Sequence, residues 1–159
     1  MTTASSSMDD SDKEAIGTKL FTIRGHVEVG TFVFSTSTDQ KIRFDAKIDY
    51  LPYTESRTFV LTIHKYGSVS TDLECESIGE ILEINPVYTY PFPNGTLLYL
   101  KDVSVPYTAS YTFQASSEFA ARSVGAVIGR SIALHAILSP ESAKIGPPLG
   151  CATIGILKG

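Results

Sequence analysis

The residues best suited to chemistry surround one short segment, Leu61–Gly79 (LTIHKYGSVSTDLECESIG), which places His64 and Cys75 on either side of a small polar loop. Imidazole nitrogen and thiolate sulfur are ligands that zinc and copper prefer. The rest of the chain supplies only two more histidines and one more cysteine. These residues leave three interpretations open: a metal site, half of a metal site, or a core histidine beside a disulfide.

The elements that would position these residues are strands, because apolar residues recur with a period of two from Lys19 onward. The segment KIRFDAKID alternates apolar and charged residues, and its apolar face carries Ile42, Phe44, Ala46 and Ile48. This alternation is typical of an antiparallel strand with one buried face. Further strands are predicted by KLFTIRGHV, EVGTFVFST, TFVLTIH, VYTY, TLLYLKDVSV, SYTFQA, RSIALHAI and CATIGIL, and a helical turn or two by SSEFAARSVG. We therefore expect an all-β sandwich or barrel of about eight strands.

Within TFVLTIH, the alternation predicts that Phe59, Leu61 and Ile63 face inward, and that the residues between them face outward. His26 lies in the first predicted turn, where a histidine is expected to be exposed. The chain of 159 residues is long enough for one domain with a real core. Its 43% hydrophobic and 19% charged residues are typical of a globular protein.

The first seventeen residues, MTTASSSMDDSDKEAIG, are rich in Ser, Thr and Asp, which cannot bury enough apolar surface to order a chain. We expect a flexible tail over residues 1–17 and a sandwich over residues 18–159. The tail contributes three units of the formal net charge of −4, so the body has no basic surface for nucleic acid. The absence of a secretory signal and of a long apolar run predicts a cytoplasmic protein without membrane contact.

Three sequence blocks resemble the copper/zinc superoxide dismutase family, and they occur in the order found there. They are HKYG with the later CESIG, then GRSIALHA, and finally PLGCATIGI. In that family these blocks hold a histidine at a strand end, a loop cysteine, a second strand that ends in histidine, and a closing strand with the partner cysteine. The resemblance extends from about Lys19 to Leu157. It implies an immunoglobulin-like Greek-key sandwich, in agreement with the strand count.

The resemblance implies an incomplete copper site. His64 and His135 match two of the four copper ligands, whereas Thr62 and Ile81 stand at the other two positions. A hydroxyl and an isoleucine cannot replace imidazoles around a catalytic copper ion. His64 and His135 could still hold copper or zinc weakly. The alternative is that the two imidazoles are hydrogen-bonded within a polar patch.

The other parts of the catalytic apparatus are also missing from the pattern. The segment EILEINPVYTYPFPNG follows Gly79 and contains no histidine, cysteine or aspartate, so no zinc ligand of the family is matched. Pro148 stands where the family has the arginine that attracts superoxide, and proline carries no charge. We expect no dismutase activity and no firmly bound cofactor.

The structural half of the family pattern is retained. Cys75 and Cys151 match the family's disulfide, and Arg130 matches an arginine that hydrogen-bonds carbonyl groups of the disulfide loop. In the chain-entropy model, such a disulfide would stabilise the fold by about 4 kcal/mol. Without the resemblance, two cysteines of a cytoplasmic chain are expected to be free thiols, and that alternative stays open.

The resemblance also implies a partner surface. The positions that match the family's subunit contact are Tyr66, Gly67, Ile128, Gly129 and Ile156. We therefore predict an inactive dismutase-like protein that acts through protein interaction, as a homodimer or as a heterodimer with a superoxide dismutase or its copper chaperone. It is similar to the dismutase-like proteins of poxviruses and other large DNA viruses, which are regarded as decoys for that chaperone. Two alternatives stay open: a weak copper- or zinc-binding protein without turnover, and a structural sandwich in a larger assembly.

Overall fold

A computed structural model describes residues 16–23, 25–36, 42–54, 57–67, 75–82, 96–113, 128–139 and 144–156. This part of the chain forms nine strands and one short 3₁₀ turn, Glu76–Ile78. The strands are β1 (Ile16–Phe21), β2 (Glu28–Thr36), β3 (Ile42–Ile48), β4 (Thr58–His64), β5 (Thr96–Lys101), β6 (Tyr107–Phe113), β7 (Ser131–Ser139), β8 (Lys144–Thr153) and β9 (Gly155–Ile156). Within these ranges, no helix has the length and apolar character that crossing a membrane would require.

The strands form two antiparallel sheets. The first has the order β6-β3-β2-β1-β9, and the second has the order β5-β4-β7-β8. The chain changes sheet four times, from β3 to β4, from β5 to β6, from β6 to β7 and from β8 to β9. As a result β3 pairs with β6, and β4 pairs with β7. These crossings give the Greek-key connectivity of a sandwich. The prediction of an all-β Greek-key fold is confirmed.

The core between the sheets follows from the alternation of the strands. In β3 the apolar positions are buried, while Arg43 and Lys47 on the other face are exposed. The largest fully buried side chains are Phe32, Phe34, Phe44, Leu20, Ile42, Ile48, Leu61, Ile63 and Leu82. Burial of one such side chain contributes about 1.5–3 kcal/mol, so this apolar layer holds the two sheets together.

β4 differs from the expected pattern, because all seven of its residues are buried rather than every second one. It lies in the middle of its sheet, and Cys75 and Ile78 pack on its outer side against Ala133, which pairs with Thr62. Ile81 pairs with His64 in the plane of the sheet. The N–H of Leu82 also donates to the carbonyl of Ile63, at 2.8 Å. Segment 75–82 therefore lies against β4 both in the plane of the sheet and over part of its outer side, and His64 is buried.

The two ends of the described chain also differ from expectation. β1 begins at Ile16, so Ile16 and Gly17 belong to the first sheet rather than to the tail. The predicted final strand is longer at its start and is split into β8 and β9. β8 contains Pro147 and Pro148, which is tolerated because β8 is the edge strand of its sheet. Residues 1–15, the predicted strand VYTY and the predicted helical segment SSEFAARSVG lie outside the described residues.

Candidate functional site

The two histidines of the incomplete copper pattern lie close together on the second sheet. His64 ends β4, and His135 lies within the neighbouring β7, where it is paired with Val60. Both side chains are on the covered outer face, and each histidine is only 5% exposed. Their ring centroids are 5.8 Å apart. The structure therefore brings these two predicted residues together, and Thr62 lies between them on β4.

The outer nitrogen of each ring is fixed by a backbone carbonyl. Nδ1 of His64 donates to the carbonyl of Gly79 at 2.9 Å, and Nδ1 of His135 donates to the carbonyl of Gly146 at 2.9 Å. A carbonyl oxygen only accepts, so each Nδ1 carries the proton and each Nε2 of the neutral ring keeps a lone pair. The carbonyls of Gly79 and Gly146 thus orient both Nε2 lone pairs toward the same point.

That point is occupied by the hydroxyl of Thr62. Its Oγ1 lies 2.8 Å from Nε2 of His64 and 3.2 Å from Nε2 of His135. A hydroxyl has one proton and can donate to only one of two acceptors. The shorter distance favours donation to His64. Thr62 therefore cannot also satisfy the Nε2 lone pair of His135.

A second hydroxyl lies on the same face. Thr96 is paired with Thr62 across β4 and β5, beside an irregularity in the register. Paired residues of neighbouring strands present their side chains to the same face of the sheet. Thr96 is 1% exposed, and no hydrogen-bond partner for its Oγ1 is found among the described residues. Sequence reasoning did not identify Thr96, because only the strand register places it beside this site.

Burial keeps both imidazoles neutral. Desolvation lowers the pKa of His135 to about 4; the bond to Gly146 opposes this shift, and the neighbouring His64 adds to it. Desolvation also lowers the pKa of His64, against the effect of its bond to Gly79. Both rings are thus in the form that a metal ion could bind, and in the form that accepts a hydrogen bond.

The donor set does not fit the catalytic centre that the fold family implies. No group of three or more histidine, cysteine or acidic side chains that could hold a metal ion occurs in the described part of the chain. Ile81, which the resemblance predicts at the bridging position, pairs with His64 and offers only an apolar side chain. Pro148 pairs with His135 and brings no positive charge. The arrangement is a buried hydrogen-bonded pair of imidazoles with two hydroxyl groups.

The predicted disulfide is present between Cys75 and Cys151, with an S–S distance of 2.01 Å. It ties the 3₁₀ turn to β8, and Cys75 packs with Ile78 and Ala133 in a small buried cluster. Nη1 of Arg130 donates to the carbonyl of Lys65 at 3.2 Å, at the start of the loop that follows β4. The disulfide therefore fixes the start of segment 75–82 against β8, and Arg130 fixes the residue that follows His64.

The predicted partner positions form one patch, the Tyr66 surface, defined by Tyr66, Gly67, Ile128 and Gly129. Tyr66 is 62% exposed and Ile128 is 42% exposed. A Cβ atom added to Gly67 would lie 2.8 Å from the carbonyl oxygen of Gly129, so the two glycines approach closely. Ile156 belongs to β9, but its side chain lies outside the described atoms.

The main chain of Tyr66 is held at both ends. Its N–H donates to the carbonyl of Ile78 at 3.0 Å, and its carbonyl accepts from Oγ of Ser131 at 2.6 Å. The ring lies on Gly79, where an added Cβ would come within 2.5 Å of it. Gly79 thus contacts the ring of Tyr66 through its Cα and accepts a hydrogen bond from His64 through its carbonyl.

The third histidine, His26, lies far from this site in sequence. It is exposed in the β1–β2 turn, and its ring stacks on that of Phe21 with the centroids 4.5 Å apart.

No family model and no curated protein matches this chain. Solved structures do match it. The clock protein EA4 has a TM-score of 0.61 and 18% identity, over 92% of this chain and 96% of that one. A mutant of Candida albicans superoxide dismutase 5 has a TM-score of 0.62 and 20% identity, over 92% and 94%. The Cu(II) form of that enzyme has a TM-score of 0.60 and 19% identity, over 92% and 94%. The chain therefore has the fold of a superoxide dismutase.

Proposed function

We propose that this superoxide dismutase-like chain is catalytically inactive and acts through protein interaction. The observation that carries the proposal is the position of the Thr62 hydroxyl, 2.8 Å and 3.2 Å from the two Nε2 atoms. The two imidazoles that would face a metal ion face a hydrogen-bonding side chain instead. In this arrangement the histidines are a structural element of the protein.

Inactivity follows from three properties of the site. Thr62 and Ile81 give no imidazole to complete a copper centre that can change oxidation state. Pro148 gives no charge to attract an anionic substrate. His64 and His135 are each 5% exposed, which limits the approach of superoxide. Each property alone would slow turnover. Together they weaken the binding of copper, the attraction of superoxide and the access of superoxide to the histidines.

The Tyr66 surface supports the interaction role. A large aromatic side chain with a fixed main chain is a suitable binding anchor, since little conformational freedom remains to be lost on association. Ile128 adds apolar area beside it. The hydrogen bond from His64 to Gly79 stabilises the backbone under Tyr66, so the histidine pair contributes to the shape of this surface.

The partner we propose is a protein with a similar surface. A second copy of this chain would form an isologous contact, in which each copy offers the same patch. A superoxide dismutase, or the copper chaperone that binds one, would replace one of the copies in a heterodimer. The decoy role of the similar viral proteins is one form of this proposal.

Sedimentation of the purified protein, alone and mixed with a superoxide dismutase or its copper chaperone, tests the interaction. We expect a dimer in at least one mixture, and Tyr66→Ala should weaken it about tenfold or more, as expected for an aromatic anchor. Tyr53→Ala is the matched control, because Tyr53 is an exposed tyrosine at the other end of the sandwich. A monomer in every mixture, or equal weakening by both variants, would contradict the interaction role.

Weak metal binding is the second candidate. It is favoured by the Nε2 lone pair of His135, which receives no hydrogen bond when the Thr62 hydroxyl donates to His64. The buried hydroxyl of Thr96 adds an oxygen on the same face. Titration with Cu(I) and Zn²⁺ against a chelator of known affinity measures this binding. Near-stoichiometric uptake that is lost in His135→Ala would support a metal-binding role. Uptake that is the same in that variant would exclude this site.

A further inference from the structure

The two sheets have four edge strands, and three of these have features that oppose pairing with a further strand. β9 has only two residues. β8 contains Pro147 and Pro148, and its register along β7 shifts three times. The pairing of β5 with β4 skips Leu97, whose carbonyl accepts from the hydroxyl of Tyr111. Short length, proline and bulges are the means by which proteins protect exposed sheet edges.

β6, the fourth edge strand, has none of these features. All seven of its residues pair with β3 in an unbroken register, and none is proline or charged. Five of the seven are Tyr, Thr or Phe, which favour extended strands. Within the described ranges, no strand lies on the other side of β6. Alternate residues of an edge strand direct their N–H and carbonyl groups outward, and another extended strand is what matches such a row.

We propose that β6 pairs antiparallel with β6 of a second copy of this chain, with Ala109 on the two-fold axis. The segment Tyr107–Tyr111 reads YTASY and is self-complementary in this register. Tyr107 then lies opposite Tyr111 of the second copy, and Thr108 lies opposite its Ser110. Aromatic pairs and hydroxyl pairs are favourable combinations across neighbouring antiparallel strands. The sequence of β6 therefore fits a second copy of itself.

The two faces of β6 would contribute differently to this contact. Tyr107, Ala109 and Tyr111 are half-buried against the core, so a second strand beside them would cover apolar surface that is still accessible. Thr108 and Ser110 are exposed on the opposite face, where their hydroxyl groups can form hydrogen bonds across the interface. The pairing would thus extend both the apolar face and the polar face of the first sheet.

The charges on β3 favour the register centred on Ala109. Lys47 pairs with Thr108 and Asp45 with Ser110, so each row of the joined sheets would contain Lys47 of one copy and Asp45 of the other. A register centred on Ser110 would instead place Asp45 in line with the second copy's Asp45. The two β3 strands would be about 14 Å apart, beyond the Debye length of roughly 10 Å, and Asp45 is also ion-paired within its own strand. The charges therefore give only a small preference for the register, and the backbone bonds and side-chain pairs hold the copies together.

Sedimentation of the full chain over a range of concentrations tests the contact. β6 contains no residue of the Tyr66 surface, so the contact is independent of the proposed function. The measurement is made on Tyr66→Ala, in which that other surface is weakened. We expect this protein to dimerise with micromolar affinity, since one added strand pair makes a small interface.

Two double variants of Tyr66→Ala distinguish the pairing of β6 from other contacts. Thr108→Lys with Ser110→Lys places lysine opposite lysine twice across the axis. We expect about tenfold weaker association, because like charges directly opposite each other are destabilising. Thr108→Glu with Ser110→Lys is the matched control, because it places glutamate opposite lysine, and it should associate at least as well as Tyr66→Ala alone. A thermal melt of each variant verifies that it is folded.

A short thiol-to-thiol cross-linker tests the register. The two native cysteines are bonded to each other, so an introduced cysteine carries the reactive thiol. Ala109→Cys should cross-link two copies, whereas Thr112→Cys should not, because its two thiols would be about 20 Å apart along the strands. The proposal would be overturned if Tyr66→Ala is a monomer at every concentration, even where the wild type dimerises. Equal weakening by the two double variants, or equal cross-linking of the two cysteine variants, would also overturn it.

Discussion

The outer faces of the two sheets carry polar side chains in opposite surroundings. On the first sheet, Arg43 and Asp45 form an ion pair of 3.0 Å, and Ser110 donates to Asp45 at 2.5 Å, all near solvent. On the second sheet, the hydroxyl of Thr62 contacts His64 and His135 beneath a covering segment. Water can replace the hydrogen bonds of Arg43, Asp45 and Ser110. The buried side chains of Thr62, His64 and His135 have only protein groups as hydrogen-bond partners.

This difference shows where polar interactions contribute to the stability of the protein. Exposed ion pairs contribute about 0–1 kcal/mol, because water and salt compete for both partners. A buried acceptor that loses its donor costs about 1–3 kcal/mol, because nothing replaces the lost hydrogen bond. Changes on the covered face should therefore have large effects, and chemically similar changes on the open face should have small ones.

Removal of the cover should have the largest effect. Cys75→Ser breaks the disulfide, which closes a loop with a sequence separation of 76 residues and holds the segment over the histidines. We expect the free energy of unfolding to fall by roughly 2–4 kcal/mol under oxidising conditions, and by much less with a reductant present. Denaturant unfolding of both proteins in both buffers measures this. Equal midpoints with and without reductant would mean that the disulfide does not stabilise the cover.

Acidification should destabilise the covered face next. His135 has a pKa of about 4 in the folded protein, against an unperturbed value of 6.5, so the unfolded chain binds the extra proton first. Its contribution to stability is complete above pH 6.5 and is lost as the pH falls toward 4, with a size on the order of 3 kcal/mol. Denaturant unfolding at several pH values in this window measures the slope. His135→Gln should flatten that slope, and an unchanged slope would refute the assignment to His135.

Removal of the central hydroxyl should have a smaller effect. Thr62→Val keeps the shape of the side chain but leaves the buried Nε2 of His64 without its hydrogen-bond donor. We expect a loss of about 1–3 kcal/mol in the free energy of unfolding. Thr62→Ser retains the hydroxyl and should lose less than the valine variant. A valine variant as stable as the wild type would show that the imidazoles do not depend on Thr62.

The open face should show the smallest effect. Burial alone would raise the pKa of Asp45, but hydrogen bonds from Arg43 and Ser110, together with the charge of Arg43, outweigh it and lower the pKa. Asp45→Asn removes the charge and keeps the shape, so we expect a change of at most about 1 kcal/mol. Salt should reduce the difference further. A loss as large as that of Thr62→Val would mean that the two faces do not differ in the way described.

The sequence predicts where the strands lie better than it predicts which residues pack on their outer faces. The period of two in KIRFDAKID identifies β3, and the same period identifies β4. Nothing local to β4 indicates that its outer face is buried, because Cys75 and Ile78, which pack on that side of the sheet, belong to a later segment. The role of Thr96 depends on the pairing of β4 with β5, which the sequence does not reveal. β8 was missed in part because its prolines argue against a strand.

Dismutation of superoxide by the purified protein tests the central claim most directly. The protein is loaded with copper, loosely bound ion is removed with a chelator, and the rate is compared with that of an authentic superoxide dismutase treated in the same way. Because the sequence resemblance places Thr62, Ile81 and Pro148 where the dismutase family has two copper ligands and an arginine, we predict no rate above that of the chelated buffer. A chelator-resistant rate comparable to the authentic enzyme, and lost in His135→Ala, would contradict the account.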